Sequence, residues 1–140
     1  MERQKKIIDA SVAVKWFSKE QHSVLAFMLL EDYRNGKIDL VVPDLLFYEV
    51  ANVLKCNRLS EKDIQAALSS LFNSGLGMSR VDEITIAETV RCALQHNTSI
   101  YDAAYIALSK LFGCELITAD EKLLNKNIGN ITHIKDYQQS

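Results

Sequence analysis

Apolar residues recur along this chain at two spacings, and the spacing separates short strands from helices. Ile7-Ile8 ahead of Asp9 reads as the end of a short strand, and Ala10 to Phe17 as one or two helical turns. From His22 to Tyr33 the positions Leu25, Ala26, Leu29, Leu30 and Tyr33 keep the helical period, and Asn35-Gly36 ends that helix. Asp39-Leu40-Val41-Val42 is predicted as a strand stopped by Pro43, and Asp44 to Cys56 as a largely buried helix with apolar residues on most of its circumference. Ser60 to Phe72 is a further helix, opened by the Ser60/Asp63 spacing and closed near Gly75 and Gly77. Met78 to Val81 is predicted as a short strand, followed by helices over Glu83 to Gln95 and Ile100 to Phe112. Past Gly113 come a strand Glu115-Leu116-Ile117-Thr118, a short helix around Glu121 to Leu124 and a last strand Ile131 to Ile134.

Short strands separated by helices predict a three-layer α/β/α arrangement, with a central, mainly parallel sheet of about four to five strands joined by right-handed crossovers. With 140 residues, this is one domain, 1–140, by the usual size range. In such sheets the functional crevice lies beyond the carboxyl ends of the strands, where the strand order reverses. Asp9 ends the first apolar strand and Asp120 lies just past Thr118 at the end of a later one.

Composition narrows the chemistry. A formal charge of −2 lacks the basic excess behind non-specific nucleic-acid binding, so any nucleic acid must be held locally. Cys56, Cys92 and Cys114 are odd in number and widely spaced, which reads as free thiols rather than a disulfide framework or zinc knuckle. His22, His96 and His133 are equally scattered. The apolar run near the start is interrupted by Asp9 and no cleavage-like ending follows, and no apolar segment reaches membrane-spanning length, so a cytoplasmic location is expected.

Two further acids sit among apolar residues. Glu49 lies inside Leu45-Leu46-Phe47-Tyr48-Glu49-Val50-Ala51-Asn52-Val53-Leu54, and Leu45, Asn52, Val53 and Cys56 share its side of the helix. Burying that charge unpaired would cost several kcal/mol, so it calls for a cation or ligand role, or else for an arginine from elsewhere in the fold. Asp102 has capping-box spacing to Ser99, and Asp9 has the position of an N-cap for the helix after it, so each has a structural reading beside the chemical one. Thr118 and Glu121 have the same box spacing, which assigns Glu121 to capping and leaves Asp120 as the acid free to point into the crevice. Taken together, Asp9, Glu49, Asp102 and Asp120 suggest a cation site. Oxygen ligands without paired His or Cys favour Mg²⁺ or Mn²⁺, ions suited to activating water and neutralising charge in displacement at a phosphodiester.

Four blocks then resemble one family in the right order over almost the whole chain: Ile8-Asp9-Ala10-Ser11-Val12-Ala13-Val14-Lys15-Trp16-Phe17, the run from Pro43 to Leu54, Ser99-Ile100-Tyr101-Asp102-Ala103-Ala104-Tyr105, and Leu116-Ile117-Thr118-Ala119-Asp120. The chain resembles PIN domains, most of all VapC-type toxin ribonucleases. That resemblance implies a PIN-like α/β sandwich and a Mg²⁺- or Mn²⁺-dependent endoribonuclease held inactive by a VapB-type antitoxin. It implies Asp9, Glu49, Asp102 and Asp120 as the catalytic acids, with Asp9, Asp102 and Asp120 as metal ligands and Glu49 as the group that positions or deprotonates water. Ser11 falls on the polar position beside the first acid, Thr118 on the hydroxyl that accompanies the fourth, and Ala10 departs from a position where many members carry a hydroxyl. Products with 5′-phosphate and 3′-hydroxyl ends are implied as well.

Lys15, Arg58, Lys122 and Lys126 are candidates to guide RNA phosphates, or else ordinary solvated charges. The helices around Leu25 to Tyr33 and Leu45 to Leu54 offer surfaces for a homodimer or a partner helix. The competing readings are a catalytically silent PIN-like module binding RNA or a protein, and a phosphotransferase using Asp9 as acceptor. The second lacks the usual acid two residues on, where Ser11 stands, and a strand-end lysine.

Overall fold

Strands of a parallel sheet are covered on both faces and need continuous apolar runs, which this chain supplies at Ile7-Ile8, Leu40 to Val42 and Leu116-Ile117. The computed structural model describes residues 3–140. In chain order the elements are β1 (Gln4–Ile8), α1 (Ala10–Ala13) continued by a 3-10 turn Val14–Trp16, α2 (Ser23–Arg34), β2 (Ile38–Pro43), α3 (Leu45–Cys56), α4 (Glu61–Phe72) and β3 (Gly77–Ser79). Then follow α5 (Glu83–His96), α6 (Ile100–Phe112), β4 (Glu115–Thr118), α7 (Glu121–Leu124), β5 (Ile131–His133) and a 3-10 turn Ile134–Asp136.

The strands form one parallel five-stranded sheet in the order β3-β2-β1-β4-β5. The chain therefore builds outward from β1 on one side, then returns past it and builds outward on the other. The reversal lies between β1 and β4, whose register pairs Ile7 with Leu116 and Ile8 with Ile117. The predicted fold class is the observed one. Ile7, Ile8, Leu40, Leu116 and Ile117 are shielded from solvent at the centre of the core. Helix α6 packs on β1, β2 and β4 through a stripe that includes Ala103, Ile106 and Ala107, the two alanines allowing close approach. Helix α2 packs against β2 and the 3-10 turns, burying Ala26 and Leu29.

Local differences from expectation have local causes. Pro43 does not stop β2 ahead of itself but is its last residue, paired with Ser79 of β3. Strand β3 runs Gly77–Ser79 rather than Met78 to Val81, and a Cβ at Gly77 would lie 3.2 Å from the Leu40 carbonyl and 3.3 Å from Val41 Cγ2. Glycine is what lets β3 come this close to β2. Helix α3 buries only Leu46, Phe47, Val50 and Leu54 and leaves Tyr48 78% exposed, because one face borders an open cleft instead of the core. The three cysteines are free, as expected. No helix among the described residues is long and apolar enough to cross a membrane.

Across the β1–β4 seam, Lys6 and Glu115 are register partners and form an ion pair on the α2 side of the sheet, and the Thr132 hydroxyl donates to Glu115 at 2.7 Å. Burial works to raise the Glu115 carboxyl, but Lys6 and Thr132 outweigh it and hold it below the usual range. This pair sits near the start of β4 and fixes the register that carries the far end of the seam to its place.

Candidate active site

Strand β1 stops at Ile8, and the next residue takes an extended backbone (φ −99°, ψ 178°) that suits both a strand end and a helix N-cap. Asp9 is that residue, and both its oxygens are engaged. Oδ1 accepts from the Val12 amide at 3.3 Å and from Ser11 Oγ at 2.5 Å, while Oδ2 accepts from Thr118 Oγ1 at 2.5 Å across the β1–β4 seam. Each hydroxyl has a single proton to give, and each gives it to Asp9. Behind them, Ser11 Oγ accepts from the Ala119 amide at 2.8 Å and Thr118 Oγ1 from the Asp120 amide at 3.0 Å. Asp9 is therefore the N-cap of α1 and also a carboxylate held at the switch point by two hydroxyls, so capping does not take it out of the crevice.

Desolvation raises the Asp9 pKa to about 6, over the opposing hydrogen bonds from Ser11, Thr118 and Val12, and the charge of Asp120 adds to the rise. Asp102 is likewise raised, by burial first and by Asp120 second, with Lys126 opposing. Its amide donates to Ser99 Oγ at 3.0 Å, so Ser99 caps α6 while the Asp102 carboxylate is left to line the cleft. Glu49 is raised by burial and by the charge of Asp102. Its partner is no arginine but the Tyr105 hydroxyl, which donates to Oε1 at 2.6 Å. Tyr105 is 2% exposed, and burial together with Glu49 pushes its phenol well above the ordinary value.

Asp120 lines the cleft as predicted, but it also takes the capping role predicted for Glu121. Asp120 is the N-cap of α7, accepting from the Lys122 amide at 2.9 Å, and Glu121 pairs with His133 Nε2 at 3.2 Å. Thr118 cannot open a capping box because its hydroxyl is turned across the seam to Asp9. Asp120 also lines the cleft, so capping and facing the crevice are not exclusive.

Asp9, Glu49, Asp102 and Asp120 thus come together around one cleft of about 480 Å³, with Ser11, Asn52, Tyr48, Tyr101 and Tyr105 in its walls. No lysine or arginine side chain is among its lining residues. A larger hollow of about 810 Å³ lies at the amino ends of the strands, around Arg3, Lys5 and Arg34, and holds none of the four acids. Of the proposed phosphate guides, Lys15 is buried and paired with Glu20 at 3.3 Å, which removes it from the surface. Lys126 donates to the Asn97 carbonyl at 3.0 Å, and Arg58 and Lys122 are exposed. Tyr105 is the residue that sequence reasoning missed. Its signal was a tyrosine three residues beyond Asp102 in an alanine-rich buried stretch, where a phenol needs a partner.

The donor chemistry fits a hard divalent cation: all-oxygen ligands, mutual repulsion, and no cationic side chain in the cleft. The acids line the cleft without being gathered to a point. Among the described residues, no three His, Cys, Asp or Glu side chains form a ready coordination set.

The raised Asp9 pKa fixes a pH dependence. A carboxyl with a folded-state pKa of about 6 against an ordinary 3.8 binds its proton more tightly folded than unfolded, so the charged form is the destabilising one. Its cost, up to about 3 kcal/mol above pH 7, is lost as pH falls through 6 toward 4. Thermal melts in EDTA are expected to show wild type gaining stability relative to Asp9→Asn between pH 7.5 and 5. A difference that stays flat with pH would contradict this account.

Residues 6–128 match the family model of the PIN domain. Ribonuclease VapC3 of Pyrobaculum aerophilum is 30% identical over 128 residues, covering 87% of this chain and 94% of that protein. Among solved structures, PAE2754 from Pyrobaculum aerophilum superposes with a TM-score of 0.66 at 23% identity, over 94% of this chain and 90% of that one. A toxin-antitoxin complex from Klebsiella pneumoniae gives a TM-score of 0.68 at 19% identity, over 92% of this chain and 97% of that one. The family model and the 30% identical relative assign the chain to the PIN-domain family, in its VapC-type branch.

Proposed function

We propose that this chain is a Mg²⁺- or Mn²⁺-dependent endoribonuclease, hydrolysing RNA phosphodiester bonds as the toxin of a VapBC-type toxin-antitoxin pair in the cytoplasm. The observation that carries the reading is four carboxylates from four separate segments around one cleft that holds no cationic side chain. Similarity to a named ribonuclease supports the reaction class, and similarity to a toxin-antitoxin complex supports the antitoxin partner.

In this mechanism Asp9, Asp102 and Asp120 would hold the ion or ions, which would supply Lewis acidity and a lowered pKa for water. Ser11 and Thr118 keep both Asp9 oxygens aimed, so that ligand is oriented before substrate arrives. Glu49 takes the proton from the attacking water, a task suited to a carboxyl raised above the usual range. Tyr105 holds the Glu49 carboxylate in place as a positioning residue.

The homodimer belongs to the same proposal. Leu29 and Leu30 of α2 and Leu46, Val50 and Leu54 of α3 are in the core, which leaves Val24 and Phe27 on α2 and Tyr48 on α3 exposed on the expected surfaces, whereas Val81, Ile84, Val90 and Leu94, on α5 and its approach, form a larger exposed apolar set. The silent-module reading draws on the acids not being gathered into a ready set. Calorimetric titration with Mn²⁺ separates it, since a silent module has no heat that Asp9→Asn abolishes.

Purified protein is expected to cut a labelled structured RNA with Mg²⁺ or Mn²⁺ and not with EDTA, and Asp9→Asn and Glu49→Gln to lower the rate by about 10²-fold or more. Cleavage surviving in both variants would point to contaminating ribonuclease. Product ends should be 5′-phosphate and 3′-hydroxyl, and 2′,3′-cyclic phosphates would rule out attack by water. Tyr105→Phe removes one hydrogen bond to a carboxylate and is expected to lower kcat about tenfold with KM unchanged. A change confined to KM would place Tyr105 in binding instead. Sedimentation velocity is expected to show a two-chain species that Leu94→Lys returns to single chains, and a wild type already monomeric at micromolar concentration would remove the dimer.

A further inference from the structure

The chain carries five tyrosines, and they divide cleanly. Tyr33, Tyr105 and Tyr137 are half-buried or buried, and each hydroxyl donates to a partner: the Ser74 carbonyl, Glu49 and Asp32. Tyr48 and Tyr101 are 78% and 60% exposed, and both line the acid cleft. Each directly precedes an acid of the site, Tyr48 before Glu49 on α3 and Tyr101 before Asp102 on α6, on the two helices that the Tyr105–Glu49 hydrogen bond ties together. The mechanism above uses neither ring.

The electrostatics of the cleft leave a task for them. A ribonucleotide chain is a row of phosphates, and the cleft presents four carboxylates and no lysine or arginine. Lys126 is near enough for its charge to act on Asp102 but lies outside the lining and is bonded to the Asn97 carbonyl, so contacts that carry no charge are left to supply part of the affinity for nucleotides flanking the cut. Aromatic faces supply that through base stacking, which is tolerant of base identity. Only an unpaired base exposes a face to a side chain. Asn52, one helical turn beyond Tyr48 on α3 and also in the cleft wall, adds an amide able to donate to or accept from a base edge.

We propose that Tyr48 and Tyr101 form a stacking platform at the mouth of the acid cleft that takes unpaired RNA bases flanking the scissile phosphate. The inference rests on the nuclease reading for its substrate. It makes the target single-stranded at the site, a loop, bulge or end, and gives the chain a selectivity for unpaired RNA that its net charge does not provide.

The test is binding of a short single-stranded oligoribonucleotide carrying 2-aminopurine, whose fluorescence reports stacking, to the full chain with Mn²⁺ in a Glu49→Gln background that suppresses cutting. The parent is expected to quench the probe and to prefer it to a duplex of the same sequence. Tyr48→Ala and Tyr101→Ala should each weaken single-strand binding by about 5- to 100-fold and reduce the quench, while Tyr48→Phe and Tyr101→Phe keep both. Circular dichroism and sedimentation of the same variants control for folding and assembly. Unchanged affinity in the alanine variants, equal affinity for duplex, or no binding by the parent overturns the proposal. So does loss of a two-chain species in those variants with RNA affinity intact, which would assign the rings to a contact between copies. Tyrosine-dependent binding by a wild-type chain that never cuts RNA would uphold the platform while removing the nuclease reading.

Discussion

Everything at the functional end of this molecule depends on the carboxylate of Asp9, held across the seam where the strand order turns round. One hydroxyl from its own segment and one from the neighbouring strand give it their only protons, and backbone amides of Ala119 and Asp120 fix those hydroxyls from behind. The seam is thus closed by a polar lock at its carboxyl end and by the Lys6–Glu115 pair near the start of β4. The two differ in sign. Glu115 is held below its ordinary range because a cation compensates its burial, whereas Asp9 has only neutral donors, which do not offset its desolvation. A carboxylate so placed is under electrostatic stress that a proton or a cation relieves.

The other acids are arranged so that this stress is shared. Burial acts on Asp9, Glu49 and Asp102 alike, and the charges of Asp120 and Asp102 act on their neighbours in turn. Helix α6 carries Asp102 in its first turn, close enough to the positive end of the helix to be tolerated there, and its Ser99 cap accepts from the Asp102 amide while the carboxylate lines the cleft. Three residues on, the buried Tyr105 of α6 donates to Glu49 on α3, so one hydrogen bond links the two helices that carry Glu49 and Asp102. The close packing of α6 on the sheet through Ala103 and Ala107 is therefore a condition for the site as well as for the core.

How much of this was legible in the sequence follows from the range of each interaction. Strands and helices were readable because periodicity is local, and Asp9 beyond an apolar strand pointed to the switch point because fold class constrains where crevices form. The α7 cap was misread because Thr118/Glu121 spacing is a local signal, and a contact 109 residues away in sequence, Thr118 to Asp9, overrode it. Lys15 looked like a surface charge, yet the fold buries its stem and pairs it with Glu20. Glu49 was recognised as an acid needing a partner, but its partner is neutral and 56 residues away, beyond any helical-spacing rule. The exposure of Tyr48 was hidden for the opposite reason. An apolar stretch suggests burial, and only the cleft beside α3 explains why one face of it stays open.

The charge layout separates two tasks that nucleic-acid-binding proteins commonly give to the same lysines and arginines. Arg3, Lys5 and Arg34, with Asp39 paired to Arg3, surround a hollow at the amino ends of the strands, while the cleft at the carboxyl ends is lined by acids with no lysine or arginine. A phosphate approaching these acids would be repelled until positive charge is supplied there, so on the proposed reading a bound cation would decide whether the cleft admits a polyanion. Attraction along a basic groove would favour any nucleic acid, duplex included, and would depend steeply on salt. A cleft that combined local neutralisation of acids with the proposed aromatic platform at its mouth would select instead for strands whose bases are free, and that selectivity would come from the two helices that carry Glu49 and Asp102.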